Sequence, residues 1–185
     1  MYDPSPDGTH PCRKGIYHQS KAAMSETTSA PIWRPIQRFL ESTPKRTFIL
    51  YPLLVMAFEY LVHGRVTINW WGVPLLPWGY LQYKLTGGYR HGIAKGSSGM
   101  DLMPERIVDY GPYRYTRNPM YLGHLIFMTG LTITFQSWLA LAILVGNIVW
   151  FQRRVMSDEA RLTAAFGTEY TDYKARVKRW IPFVI

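Results

Sequence analysis

Glu159 stands on an apolar stripe. Val155, Glu159, Leu162 and Phe166 recur at helical spacing, so one helix face carries three apolar side chains and one carboxylate. A carboxylate so placed must find a partner or give up its charge. The partner is either a neighbouring arginine, Arg154 or Arg117, or a cationic group of a ligand. Asp158 falls on a different face and is expected to be solvated. Upstream, residues 111–121 read Gly-Pro-Tyr-Arg-Tyr-Thr-Arg-Asn-Pro-Met-Tyr. Gly111-Pro112 signals a turn. Asn118-Pro119 marks a second break, with Pro119 suited to the first position of a helix. The free amides of a helix starting there favour an anion such as a ligand carboxylate. Tyr113, Tyr115 and Tyr121 offer aromatic faces to an adenine ring or a sulfonium cation. The same residues also suit an aromatic belt with arginine anchors at a membrane surface, and composition alone does not separate the two. His124, one turn beyond Tyr121, is expected to make an interhelical hydrogen bond. His10, His18, His63 and His91 show no metal-ligand spacing, so no metal is expected.

The elements that must carry these residues follow from the apolar runs. Residues 1–30 are rich in Pro, Ser, Thr, Gly and Asp without apolar periodicity and read as a disordered tail. They lack the apolar run of a signal peptide, and Met24 is a candidate natural start. Residues 31–185 read as one domain. Within it, residues 32–40 suit a short interfacial helix. Residues 47–62 are apolar apart from Glu59. Residues 66–83 carry no charge, and Pro74 and Pro77 predict a kink or an irregular stretch there. Residues 84–117 read as a polar, glycine-containing loop. Residues 118–152 are uncharged, which is too long for one span, and Gln136-Ser137 reads as the turn of a helical hairpin. Residues 155–180 continue with helical periodicity, with a second stripe of Tyr170, Tyr173, Val177 and Trp180, and Pro182 ends it.

Charge placement orients these runs. Seven basic residues lie in 1–46, one between the first two apolar runs, six in 84–117, none at the hairpin turn and seven from Arg153 onward. Alternation of this kind predicts four membrane spans with both termini in the cytoplasm. The expected fold is therefore all-α and multi-pass, with a helical hairpin and a cytoplasmic C-terminal helix. The net charge of +9 raises nucleic-acid binding. Against it stand the absence of a zinc-finger spacing, an RNP-like motif or a basic stripe. The single cysteine, Cys12, permits neither an internal disulfide nor a cysteine metal site.

Residues 111–123, then the hairpin, then Asp158-Glu159-Ala-Arg-Leu162, Phe166-Gly167-Thr-Glu-Tyr170, Tyr173, Val177 and Ile181-Pro182, resemble the isoprenylcysteine carboxyl methyltransferase and phospholipid methyltransferase superfamily. The resemblance covers residues 105–183. It implies an integral membrane methyltransferase using S-adenosylmethionine, with a lipophilic or lipid-linked acceptor, the bilayer as its surroundings and no nucleic acid. By position, it assigns Tyr113, Arg117, Asn118, Pro119, Tyr121 and Glu159 to donor binding, with Glu159 and Arg117 as candidate catalytic residues. It places Arg154, Tyr170, Tyr173 and Arg176 in the segment that closes the site. The chain departs from the family pattern in reading Arg-Asn-Pro for the frequent Arg-His-Pro, in the pair Asp158-Glu159 for two glutamates, and in Arg106 where prenylcysteine enzymes tend to have histidine. The acceptor group is left open among carboxylate, thiol and amine. An in-line displacement at a sulfonium needs alignment and exclusion of water more than a strong base. Two other readings share the architecture: an NADPH-dependent membrane reductase of the sterol-reductase type, and a membrane scaffold without activity.

Overall fold

The computed structural model describes residues 33–94 and 106–180. The expected tail, with Cys12, His10, His18 and Met24, lies outside the described residues, as do Gly96, Gly99 and Pro182. The chain divides into a short N-terminal unit, Met1–Gln37, and a body, Arg38–Ile185. Every element of the described residues is helical. Helix α1 is Arg34–Glu41, close to the short helix expected there.

The first apolar run is one helical rod in three parts. Helix α2, Thr43–Lys45, passes into a π-helical turn, Arg46–Leu50, and then into α3, Tyr51–His63. The wide turn has a local cause. Pro52 has no N–H to offer the Phe48 carbonyl, and its ring would press on that carbonyl in a regular helix. Widening the preceding turn, with the Tyr51 N–H bonding the Arg46 carbonyl, makes room for it. Glu59, the one acidic residue of this rod, is buried, and its Oε2 lies 2.9 Å from Nδ1 of His63 one turn on.

Residues 66–74 of the second apolar run are irregular chain and turns, as expected there, and helix α4, Leu75–Ala94, follows them. Pro74 and Pro77 do not kink a helix; they sit just before it and in its first turn, where proline costs no hydrogen bond. The helix then runs through Gly87, Gly88 and Gly92, well into the stretch read as a loop. Helix α5, Pro119–Phe135, begins at the predicted Asn-Pro break. The hairpin turn falls at Gln136, in the left-handed region at φ 48, and at Ser137, whose hydroxyl accepts from the Ala140 N–H at 3.4 Å. Helix α6, Trp138–Phe166, continues without a break through Arg153 and Arg154 until Gly167, at φ 58, stops it. Helix α7, Thr168–Arg176, is shorter than the stripe suggested, because Val177 is already extended. Among the described residues only α6 is by itself long and apolar enough to cross a membrane; α5 is apolar but shorter.

Helices α4 and α5 meet backbone to backbone. A Cβ on Gly79 would lie 2.5 Å from the Phe127 nitrogen and 2.6 Å from the Gly123 carbonyl oxygen. Before the start of α4, a Cβ on Gly72 would meet the Thr134 nitrogen at 2.5 Å, and the Asn69 N–H donates to the Thr134 carbonyl at 2.7 Å. Gly123 and Gly130 on α5 face this segment in the same way. The seven-residue spacing on both sides, 72 to 79 and 123 to 130, keeps the small residues in one seam as the two segments pass. Around this seam Val55, Leu131, Phe135 and Ala140 form one apolar cluster, and Tyr121, Met128, Phe151 and Val155 form another nearer the start of α5.

His124 differs from expectation. It is fully buried, and neither ring nitrogen has a hydrogen-bond partner among the described residues. Its ring stacks on Phe48 at 4.9 Å and lies against Tyr83 at 4.8 Å and Phe151 at 5.7 Å. Rings from three other segments fill the space where a polar partner would have to stand.

Gly79→Ala and Gly123→Ala should each destabilise the fold by about 1–3 kcal/mol, the usual cost of overpacking. Gly146→Ala on α6, where a Cβ meets nothing within 4 Å, should be neutral or stabilising by up to about 1 kcal/mol. Thermal unfolding in detergent measures all three, and equal midpoints would contradict the close seam.

Candidate functional site

The site is organised by the Glu159 carboxylate. It is buried on α6, and three segments converge on it. Arg179, after α7, grips it with two donors: Nε to Oε1 at 3.2 Å and Nη2 to Oε2 at 2.8 Å. Arg117, from the loop before α5, brings its Nε within 3.0 Å of Oε1 as an ion pair without an aligned hydrogen bond. Its Nη1 donates to the Lys174 carbonyl at 2.9 Å. Of the two arginines considered from sequence, Arg117 pairs with Glu159 and Arg154 does not. Arg154 instead lies 3.5 Å from Asp158. Arg179 was not foreseen: it follows the helical stripe on an extended segment, and no periodicity relates it to Glu159. The bond with Glu159 raises the Arg179 pKa above its ordinary value, so the guanidinium stays charged.

The same loop is stitched to the C-terminal segment along its length. Arg117 N–H donates to the Lys178 carbonyl at 3.0 Å, and the Thr116 hydroxyl to the Arg179 carbonyl at 3.0 Å. Asn118 Nδ2 reaches the Arg179 carbonyl at 3.3 Å, so this asparagine ties the loop and does not cap α5 with its side chain. Further up, the Tyr173 hydroxyl donates to the Tyr113 carbonyl at 2.7 Å. A 3-10 turn, Gly111–Arg114, sets Tyr113 inward, and it is buried beside Val108.

A cavity opens where these elements meet. Of the residues singled out from sequence, Tyr113, Arg117, Asn118, Tyr121, Glu159, Tyr170 and Tyr173 line it. Pro119 is not among the lining residues; it is fully buried, and its carbonyl accepts from Gln82 Nε2 at 3.2 Å. Arg154 also stands off the cavity, held at Asp158. Arg176 turns to the surface, 3.6 Å from Asp109. Tyr115 is exposed and outside the lining.

Asp158 corrects the sequence reading. It is not a solvated residue but part of the cavity wall, accepting from the Tyr121 hydroxyl at 3.1 Å and facing Arg154 and Arg161. The signal was available: a tyrosine at the start of a buried helix needs a partner for its hydroxyl. Arg90 on α4, together with Ile107, Arg161 and Leu162, also lines the cavity. Arg90 could not have been placed from sequence, since its stretch was read as loop.

The fold and site together define an all-helical protein whose hairpin helices and C-terminal segment enclose a cavity with two carboxylates and four tyrosines. A sequence profile of the phospholipid methyltransferase family matches residues 88–169, which contain most of that cavity. The protein-S-isoprenylcysteine O-methyltransferase of Schizosaccharomyces pombe is 30% identical over 80 residues, 42% of this chain and 34% of that protein. The protein-S-isoprenylcysteine O-methyltransferase B of Arabidopsis thaliana is 33% identical over 81 residues, 43% of this chain and 41% of that protein. The chain thus spans well under half the length of these relatives. It also superposes on a solved structure of the eukaryotic intramembrane Ras methyltransferase, an isoprenylcysteine carboxyl methyltransferase. There the TM-score is 0.53 with 22% identity, over 77% of this chain and 53% of that one, a likeness of fold. These likenesses support the resemblance of the chain, over residues 88–169, to the isoprenylcysteine carboxyl methyltransferase and phospholipid methyltransferase superfamily.

Glu159→Ala leaves two guanidiniums without their carboxylate. The expected loss is about 3–5 kcal/mol of stability, the cost of breaking a buried ion pair, read as a lowered melting midpoint; an unchanged midpoint would remove the clamp from the account. A second expectation concerns alkaline pH. Burial pushes the Tyr113 phenol up to about 12. Burial, and then the negative Glu159, push Tyr170 to about 12. A raised pKa means that the folded state holds these protons longer than the unfolded chain does. Their contribution is therefore complete below the ordinary value of 10.0 and is lost as pH rises from there towards about 12. Melting midpoints across that window should fall, and Tyr113→Phe with Tyr170→Phe should flatten the decline.

Proposed function

We propose that this chain is an S-adenosylmethionine-dependent methyltransferase of a membrane, acting on a lipophilic or membrane-borne acceptor through a carboxylate, thiol or amine. The reading rests on one observation: the cavity beside the start of α5 gathers Asp158, Glu159 and the rings of Tyr113, Tyr121, Tyr170 and Tyr173. A ligand that carries a sulfonium, an ammonium and an adenine fits such a lining. Aromatic faces attract cations, and the carboxylates favour positive charge. The residues proposed to hold it are Tyr113, Arg117, Asn118, Tyr121, Asp158 and Glu159. Pro119 acts by starting α5 at the right place, which leaves the first amides of that helix for the ligand's own carboxylate.

When bound, S-adenosylmethionine supplies a methyl group activated by positive sulfur. The chain's own residues supply alignment and dryness. Arg117 and Arg179 hold Glu159 in place, yet a carboxylate has about four lone-pair sites, so Glu159 keeps capacity for a ligand ammonium. Asp158 fixes the Tyr121 ring through its hydroxyl. Tyr170 and Tyr173 close the cavity from α7 and exclude water, which strengthens every charge interaction inside. Arg154 acts on Asp158 from behind, and Arg176 has only a surface role, in contact with Asp109. No general base is required for a carboxylate or thiolate acceptor.

A nicotinamide dinucleotide phosphate suits the cavity poorly. Its phosphates would meet Asp158 and Glu159, and Arg117 is already committed to Glu159 and the Lys174 carbonyl. The proposed setting is a bilayer crossed four times, with the cavity and both termini on the cytoplasmic side. It is supported by the basic residues that border the cavity and by exposed apolar side chains such as Leu53, Leu61, Val145 and Ile148 elsewhere.

Titration of the purified protein with S-adenosylmethionine and, separately, NADPH tests the reading. Saturable binding of the first is expected, and binding of NADPH alone would sink it. Tyr121→Phe, which deletes the bond to Asp158, should weaken donor affinity about tenfold or more, as for a hydrogen bond to a charged group. Membranes given methyl-labelled donor should yield a labelled lipophilic product only when the protein is present.

A further inference from the structure

Arg46 is a cation without a counter-ion among the described residues. Arg117, Arg154, Arg161, Arg176 and Arg179 each lie within ion-pair distance of an Asp or Glu. Arg46 has no such partner. It is half-buried at the start of the π-helical turn, its guanidinium carbon 5.4 Å from the centroid of the Trp150 ring. Its Nη2 approaches the Thr43 hydroxyl at 3.5 Å, and its Nε is sealed from solvent with no hydrogen-bond partner. The protein therefore buries part of a charge that it does not neutralise, on a chain of net charge +9.

The position says what could neutralise it. Trp150 neighbours Phe151 on α6; their rings are 5.1 Å apart, and Phe151 lies 5.0 Å from Tyr121, which reaches the cavity. Arg46 therefore stands at the cavity's level along α6, at the edge of the proposed bilayer. On the next turns of the rod Ile49 and Leu53 are exposed, as is Val149 on α6. A cation with an aromatic backing lies above an apolar, outward-facing strip.

We infer that Arg46, backed by Trp150 and Thr43, binds the phosphate of an anionic membrane phospholipid whose acyl chains lie along Ile49, Leu53 and Val149. A planar guanidinium presents paired donors to phosphate oxygens, and its weak hydration suits a site half out of water. The anionic surface of a membrane leaflet adds attraction for such a residue. This inference rests on the membrane placement proposed above.

The test melts the full chain in detergent micelles containing dioleoylphosphatidylglycerol, dioleoylphosphatidylcholine or inorganic phosphate. Phosphatidylglycerol should raise the midpoint by about 2–4 °C, with a smaller gain from phosphatidylcholine and none from inorganic phosphate. Arg46→Gln should lose the gain, and Lys45→Gln, at an exposed neighbour, should keep it. A gain that survives Arg46→Gln, that inorganic phosphate matches, or that Lys45→Gln abolishes equally overturns the inference. Should Arg46→Gln fail to fold, Trp150→Leu carries the test, and an undiminished gain there overturns it. Flotation with phosphatidylcholine vesicles reads the membrane placement separately. A chain that does not float defeats that placement, whereas one that floats without a phosphatidylglycerol gain defeats the Arg46 site alone.

Discussion

Three parts of the chain that are distant in sequence share one carboxylate. Glu159 belongs to α6, Arg117 to the loop before α5 and Arg179 to the segment after α7, and the ion pairs among them define the base of the site. Without the carboxylate, two guanidiniums would face each other in a partly dry environment. A buried ion pair of this kind is weak evidence for net stability, since replacing the whole set by apolar residues can be neutral. Its value here is geometric. It fixes where the 3-10 turn and the C-terminal segment lie, and with them Tyr113, Tyr121, Tyr170 and Tyr173.

The clamp works only because the helices beneath it are fixed. Gly79 and Gly123 let α4 and α5 approach to backbone contact, so the start of α5 has little freedom to shift. Apolar attraction between helices is weak when the surroundings are themselves apolar. Close packing of small residues then supplies the specificity that burial from water would supply elsewhere. The aromatic enclosure of His124 continues the same seam upward to Phe151 and Tyr121. A close-packed seam below and a clamp of charges above border the cavity between them.

Charge is spent unevenly across this structure. Around the cavity, Asp158 and Glu159 are each met by two arginines, Arg154 and Arg161 for the first and Arg117 and Arg179 for the second. At the rod's beginning, Arg46 meets no acid among the described residues, and its ring contact is with Trp150. The contrast separates a cavity whose carboxylates are paired from a half-buried cation on the rod.

The sequence by itself determined the punctuation. Asn118-Pro119 starts α5, Gln136-Ser137 turns the hairpin and Gly167 ends α6, because proline, a polar pair and a left-handed glycine act locally. The stripe carrying Glu159 was equally legible, since helical phase is a property of neighbours. Two boundaries were not. Helix α4 runs through three glycines read as loop, despite their low helical propensity. Pro74 and Pro77 start that helix instead of bending it, a choice set by where the preceding turn meets Thr134. Only the tertiary structure decided the partners: Arg179 over Arg154 for Glu159, Asp158 in the cavity wall, Arg90 across from it and His124 with none. Local spacing fixes which face a residue occupies, but not which distant chain segment will come to stand against that face.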